Sequence, residues 1–461
     1  VHLESATQAA DDLDNHKAKA KAESSLENAS RSFYSEIASP SRLLPQMGHR
    51  GRVLIDEEWR VALDAVAEMR RWPKTHEHAK IAAHVSRVSA AYNHEGHDAV
   101  ANLDRDDALA ARTEFFFPRD LAKGWGAVRE LVRSGAIGDA SRPLRILDLG
   151  AGVGAMTWGI ARALADEPKR TRAIEAVLID GDADALKVAE QISEQRKSID
   201  GVSVKIETMR QIAPFSASLV GGPFDLVIAG QLLSELDRDV DAEERVVRHV
   251  RLIRSWLDAI VENGSLILVE PALRDRTRHL HRLRDVIANE KLATIFAPCL
   301  HAESCPMLAR DDDWCSEGLS IDLPEWLATI ARGAGLRWQG STFSYLVLRK
   351  DGASLAAFTK SRDARFRVVS DRIETKGKTE FHLCGTTKSG EQSRTGKIRV
   401  TRLDRHESPE NQAWDAIGRG AVIAIDPPPA LRGANETEAR IDASSRVTSL
   451  DFQDANSKRG G

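Results

Sequence analysis

Apolar positions fall into two textures along this chain of 461 residues. Up to about residue 134 they recur at helical spacing; from residue 144 they form short continuous runs separated by amphipathic stretches. In 57–71 the apolar positions Trp59, Val61, Leu63, Val66 and Met69 predict an amphipathic helix. The same periodicity predicts helices over 79–91 and 121–134. Residues 35–140 are therefore expected to be a helical N-terminal region. Residues 1–34, polar and rich in Ala, Lys, Asp and Ser, are expected to be disordered or frayed.

The runs at 144–149, 176–179, 202–206, 224–229 and 266–269 predict five strands, with helices over 155–165, 185–194 and 242–261 between them. Strands alternating with helices at these lengths imply an α/β, doubly wound, Rossmann-like parallel sheet with right-handed crossovers. Segments 336–338 and 345–349 suggest a closing antiparallel pair, which bounds a core at 141–350. A bare α/β unit needs one helix between strand five and that pair, so 271–322 is expected to be an insertion. Short runs at 365–370, 379–384, 397–402 and 421–425 predict a small meander or barrel over 351–425. The stretch 426–461, opening on three prolines and ending Lys-Arg-Gly-Gly, is expected to be a disordered tail.

Composition narrows the class. Hydrophobic residues make up 42% and charged residues 29%, ordinary for a globular protein with a real core. No apolar run is long enough to cross a bilayer. The first residues lack a basic segment followed by an apolar stretch, so no secretory signal and no membrane partner is expected. Cysteines in such a chain are expected to stay reduced. Net charge is −4, so any nucleic-acid binding must come from local patches. One lies at 349–405, with fifteen Lys or Arg against seven Asp or Glu. Arg274, Arg276, Arg278, Arg282 and Arg284 form a second, which suits an exposed helix equally well. The islands at Arg50, Arg52 and 70–74 are weaker still, and a solvated helix face accounts for them.

The strongest cofactor signal is Asp148-Leu-Gly150-Ala151-Gly152-Val-Gly154, directly after the first strand. Glycines at alternate positions let the backbone turn tightly and approach a ligand. The dinucleotide fingerprint is G-x-G-x-x-G. The G-x-G-x-G spacing with a preceding acid suits a zwitterionic amino-acid ligand, as in S-adenosylmethionine, better than a pyrophosphate. Asp180, ending strand two, stands where a carboxylate takes both ribose hydroxyls. Gln231, after strand four, is expected to face the cleft. No residue announces a methyl acceptor: Ala229-Gly-Gln-Leu occupies the place of an Asn-Pro-Pro-Tyr type motif.

Only four cysteines occur, and three of them, Cys299, Cys305 and Cys315, lie within seventeen residues; the fourth is Cys384. Such clustering points to thiolate ligands. Structural zinc prefers paired C-x2-4-C knuckles, whereas the gaps here are five, nine and sixty-eight residues. That spacing favours an iron–sulfur cluster, with zinc as the alternative and unrelated buried thiols as the plain one. Trp314 is expected to shield the site. His301 and His382, beside ligand positions, fit a surface or supporting role.

In order along the chain come Ile146-Leu-Asp-Leu-Gly-Ala-Gly, Asp225-Leu-Val with Leu-Leu-Ser-Glu-Leu, Leu268-Val-Glu-Pro, the loop Phe-Ala-Pro-Cys…Cys-Pro…Asp-Trp-Cys, and Phe343-Ser-Tyr-Leu-Val-Leu-Arg-Lys. The first of these resembles the class I S-adenosylmethionine-dependent methyltransferases. The whole series, over residues 144–405, resembles the methyltransferase-like assembly-factor family of the mitochondrial ribosomal small subunit, which has bacterial relatives. The resemblance implies a [4Fe-4S] cluster on Cys299, Cys305, Cys315 and Cys384. It further implies action on the ribosomal small subunit, in contact with its rRNA, in the bacterial cytoplasm or the mitochondrial matrix. The N-terminal region matches that family poorly, and the tail not at all.

Overall fold

The computed structural model describes residues 55–91, 103–215, 221–319, 321–336, 340–358, 364–389, 392–432 and 437–450. The expected disordered lead, the Arg50 and Arg52 island and part of the 336–338 strand lie outside them.

Two helices open the described chain, α1 (Glu57–Arg70) and α2 (His78–Ala90). α1 starts where the Asp56 carboxylate accepts the Trp59 N–H, and it buries Trp59, Leu63 and Val66. The exposed Val61 and Met69 mark its opposite edge. Next, α3 (Arg105–Ala111) runs through a π-helical turn (Arg112–Phe116) into α4 (Phe117–Ser134). α4 packs on the first helix of the sheet domain, α5 (Ala155–Ala165), nearly backbone to backbone. A Cβ on Gly124 would stand 2.6 Å from the Met156 carbonyl oxygen, so only glycine fits there. The helices thus pack on the sheet domain rather than forming a separate body.

The larger sheet contains β1 (Leu144–Leu149), β2 (Ala173–Asp180), β3 (Ser198–Ile199), β4 (Val202–Arg210), β5 (Phe224–Gly230), β6 (Ile260–Pro271), β7 (Thr294–Ala297), β8 (Glu317–Leu319) and β9 (Ser341–Arg349). Its order is β3-β4-β2-β1-β5-β6-β9-β7, with β8 also on β9. β4, β2, β1, β5 and β6 run parallel; β9 is antiparallel to β6 and β7. In order of appearance the five parallel strands stand 3-2-1-4-5, followed by the reversed strand. That is the strand order of the class I methyltransferase architecture. Between them run α6 (Ala183–Gln195), α7 (Ala242–Leu257) and α8 (Arg274–Asn289). β1 and β5 are buried along nearly their whole length, as the central strands of a doubly covered sheet must be.

The first member of the expected closing pair falls largely outside the described residues; the second, β9, pairs with β6, β7 and β8, and β7 is not among the expected strands. Of the stretch 271–322 expected as an insertion, α8 and β7 belong to the sheet domain, and the cysteine-bearing loop occupies 298–316. A further helix, α9 (Glu325–Gly333), packs against α2.

After the single turn α10 (Leu355–Phe358) comes a second sheet: β10 (Ala364–Val368), β11 (Ile373–Thr375), β12 (Lys378–Ser389), β13 (Gln392–Leu403), β14 (Val422–Asp426), β15 (Leu431–Arg432), β16 (Glu438–Ile441) and β17 (Arg446–Ser449). Its order is β15-β16-β13-β12-β10-β14-β17, with β11 on β12. Trp414, from the short α11 (Ala413–Ala416), plugs its core, edge-on to Phe381 at 5.0 Å. The tail expectation is therefore overturned for 431–449. Alternation there places Ala439, Ile441 and Val447 in the same core while polar neighbours face out.

Candidate functional site

The glycine loop leaves β1 with Gly150, Gly152 and Gly154 at φ of 66°, 53° and 88°, all in the left-handed region. A side chain at Gly152 would meet nothing within 4 Å, so the loop faces open space. The Ala151 N–H donates to the Ile179 carbonyl at 3.0 Å, and the Gly152 N–H to Asp180 Oδ2 at 2.8 Å. Asp180 Oδ1 accepts from the Asp182 N–H at 2.8 Å. The two ends of the cleft are thereby tied before any ligand is considered.

Asp148 lies beneath the loop and is 1% exposed. Its Oδ2 accepts the Thr157 hydroxyl at 2.8 Å, while Oδ1 is buried without a partner. Burial pushes this carboxyl up to about 7, against the Thr157 hydrogen bonds. A buried, partnerless carboxylate oxygen next to a glycine loop is what an ammonium group would complete. Together with the ribose-competent Asp180, the residues present fit S-adenosylmethionine.

Gln231 stands at the end of β5 with φ 59°. Its side-chain N–H donates to Asp120 at 2.8 Å, and its carbonyl accepts from Lys123 at 3.0 Å; Asp120 and Lys123 pair at 2.7 Å. α4 thus closes one side of the cleft, while Arg105 at 2.9 Å and Arg112 at 3.6 Å reach Asp182 on the other. Sequence reading missed Asp120 and Lys123, which carry no motif and sit on a helix whose register alone aims them at the cleft. It also quoted Glu270 without giving it a role. Glu270 accepts the Leu233 and Ser234 N–H groups at 2.9 and 3.1 Å, and burial pushes it up to about 7.

The four cysteines converge. Cys299, Cys305, Cys315 and Cys384 line one cavity of about 50 Å³ between the two sheets, walled by Leu280, Met307, Leu346, Val368 and Val369. Trp314, the expected shield, is not among the lining residues. All four thiols are free. Burial, reinforced by the neighbouring Cys299 sulfur, pushes the Cys305 thiol up to about 12 and raises Cys315 and Cys384 strongly. Such crowded thiols stay protonated until a cation compensates them. Among the described residues, no group of three or more His, Cys, Asp or Glu is arranged to hold a metal ion. Four sulfurs around one zinc would lie about 3.8 Å from one another. The four thiols line one cavity and supply the soft donor type that either a zinc ion or an iron–sulfur cluster takes.

The arginine stretch that precedes the cysteines is largely turned inward. From α8, Arg278 donates to the Met307 and Asp313 carbonyls at 3.0 and 2.9 Å and to that of Arg310. Arg284 donates to the carbonyls of His301, at 2.6 Å, and Glu303. Asp285 accepts the Cys305 N–H at 3.0 Å, and His281 that of Cys315 at 3.3 Å. Only Arg274 and Arg282 are exposed. α8 is therefore a scaffold for the cysteine loop more than an RNA-facing surface.

The basic segment 349–405 is also partly spent. Arg367 pairs with Glu130 at 2.6 Å, Lys397 with Asp313, and Arg402 with Asp415 at 2.6 Å, all acids outside the segment. Arg349, Lys378 and Arg399 pair with acids inside it.

Comparison with known proteins adds a family. The family described as mitochondrial small ribosomal subunit Rsm22 matches residues 121–414. The chain belongs to this family. The matched Rsm22 span runs from within α4 through the larger sheet and β10 to β13 of the second sheet into α11, and so includes the glycine loop and all four cysteines. A human relative, the mitochondrial ribosome assembly protein METTL17, is 27% identical over 171 residues, which is 37% of this chain and 36% of that protein. Among solved structures, a class I S-adenosylmethionine-dependent methyltransferase from Listeria monocytogenes is 13% identical, with a TM-score of 0.33, and covers 63% of this chain and 86% of its own. A methyltransferase from Pyrococcus furiosus is 12% identical, with a TM-score of 0.28, over 49% and 82%. At such scores the fold assignment of this Rsm22 family member rests on its strand order.

Proposed function

We propose that this protein is an iron–sulfur-containing, S-adenosylmethionine-binding factor that acts on the ribosomal small subunit and its RNA during assembly or translation. The observation that supports it most is the convergence of four cysteines, from a loop of the donor-binding domain and from β12 of the second sheet, on one cavity. Cys299, Cys305, Cys315 and Cys384 would hold the cluster, which would supply a covalent link between the two sheets. Asp148, Gly150, Ala151, Gly152, Gly154 and Asp180 would hold the donor. Family membership and the human relative's description as a ribosome assembly protein support the partner.

One observation favours a donor that is bound without being spent. Gln231, at the position where an acceptor would approach, already has both ends of its amide engaged by Asp120 and Lys123. An acceptor must displace that lock before it can reach in-line geometry. Active methyl transfer with a structural zinc is the reading this observation weighs against.

Co-sedimentation of the chain with small ribosomal subunits across a salt series tests the proposal. Retention that weakens steeply with salt is expected, because contacts to phosphate release counterions. No retention even at low salt would sink it.

A further inference from the structure

Arg284 is sealed inside the protein, 2% exposed, and it lines the cysteine cavity. Its two terminal nitrogens are occupied by Asp285 and by the His301 and Glu303 carbonyls; its Nε is buried with no oxygen or nitrogen partner, and the Cys299 sulfur lies within reach of the side chain. A buried guanidinium N–H without an acceptor is costly unless something in the cavity receives it. The groups that share that cavity are sulfurs.

His301 extends the arrangement. Its Nδ1 lies 3.5 Å from Arg284 Nη2, and its Nε2 lies 3.4 Å from Cys384 Sγ. A cysteine sulfur that ligates a cluster is deprotonated and can only accept, so with Cys384 as a ligand the His301 ring carries a proton on Nε2 and donates it to that sulfur, while Nδ1 faces the Arg284 guanidinium. That cysteine is the one supplied by the second sheet, and this N–H···S contact is the one hydrogen bond among the described residues that ties its sulfur to the loop.

We propose that Arg284 and His301 form a donor relay, Arg284 to His301 to Cys384, which fixes the fourth ligand and raises the reduction potential of the cluster. This rests on the reading that the four cysteines hold a cluster. Hydrogen bonds to ligand sulfurs and a nearby buried cation both favour the more negative, reduced cluster, and so shift its potential upward. Arg284 and His301 are positioning residues: neither is a ligand.

The test is a spectroscopically monitored titration with dithionite, which supplies one electron to the cluster, on anaerobically reconstituted full-length chain. Wild type is compared with His301→Leu, His301→Gln and Arg284→Lys, and each is first assayed for iron, sulfide and melting temperature. The expected result is a potential more negative than wild type in His301→Leu, restored most of the way in His301→Gln, whose amide can both accept and donate. Arg284→Lys, which keeps the charge and loses the fork, falls between. If His301→Leu folds but cannot retain a cluster that His301→Gln retains, the relay is supported through its holding role. An unchanged potential at full cluster content in His301→Leu overturns the relay, as does equal loss of the cluster from the Leu and Gln variants. Wild type that takes up no iron or sulfide defeats the cluster reading itself, a different outcome from either.

Discussion

At the scale of single residues, the two acids buried without full partners have opposite consequences. Asp148 sits under the glycine loop, raised to about 7, with one oxygen unpartnered. A donor ammonium would pair with its ionised form only, so affinity for S-adenosylmethionine should rise with pH up to about 7 and level off above. Calorimetry at pH 6 and pH 8 should show roughly a tenfold difference or less, one pKa unit being about 1.4 kcal/mol. Asp148→Asn should bind more weakly and without that pH dependence. Glu114, in the π-helical turn, has both oxygens buried without a partner, and burial pushes it up to about 9. Its folded pKa lies above the unfolded value. The stability it contributes is therefore full below about 4.5 and is lost as pH rises toward 9, by on the order of 1 kcal/mol per pH unit. Glu114→Gln should melt above wild type at pH 8.5 and lose that advantage at pH 5; equal melting shifts at both pH values would contradict this.

Among elements, α4 is the hinge of the account, because its two ends serve different sites. Near its start, Asp120 and Lys123 engage Gln231 at the donor cleft. Two turns later Arg129 pairs with Glu317 at 2.9 Å, and Glu130 with Arg367 at 2.6 Å, all nearly sealed from solvent. Tyr345 donates to Glu130 at 3.1 Å, and Arg367 Nε donates to the Pro298 carbonyl at 2.9 Å, one residue before Cys299. Burial opposes the charge on Glu130, and Arg367 more than offsets it, holding the carboxyl below its usual range. Glu130→Gln should cost about 3–5 kcal/mol by stranding the Arg367 cation, while Glu130→Gln with Arg367→Met should cost markedly less than the sum of the single changes. A denaturant double-mutant cycle measures it, and additive costs would contradict the pairing.

The sequence made some elements plain for a physical reason. β1 and β5 are buried on both faces, so their apolar runs stand out, and 144–149 is matched to the residue. Strands whose burial alternates against a sheet edge do not stand out: β16 and β17 look like tail in the sequence because half their residues are polar. The arginines of α8 looked like surface because charge is normally solvated, and nothing in their spacing shows that Arg278 and Arg284 turn back onto loop carbonyls. The rarity of cysteine marks four positions as candidates in the sequence, and the structure brings those four to one cavity; no spacing marks Arg284 as their neighbour.

Among the described residues, the cysteine cavity is a joint between the sheet that carries the glycine loop and a second, largely antiparallel sheet. The joint is apolar-walled and lies among buried ion pairs, so a cluster there would tighten contacts that already exist instead of creating the interface. Removal of the cluster by chelation under reducing conditions should therefore lower the melting temperature and raise hydrogen exchange in β10 and β12 while leaving β1 and β5 protected. The salt dependence of small-subunit binding should also be shallower than fifteen cations suggest, because several of those in 349–405 are already paired within the fold.

Metal content tests the central claim most directly. Anaerobically purified wild-type chain should contain about four iron and four sulfide per molecule, with a brown absorbance that Cys384→Ser largely abolishes. One zinc per chain, or iron content that Cys384→Ser leaves untouched, would contradict it.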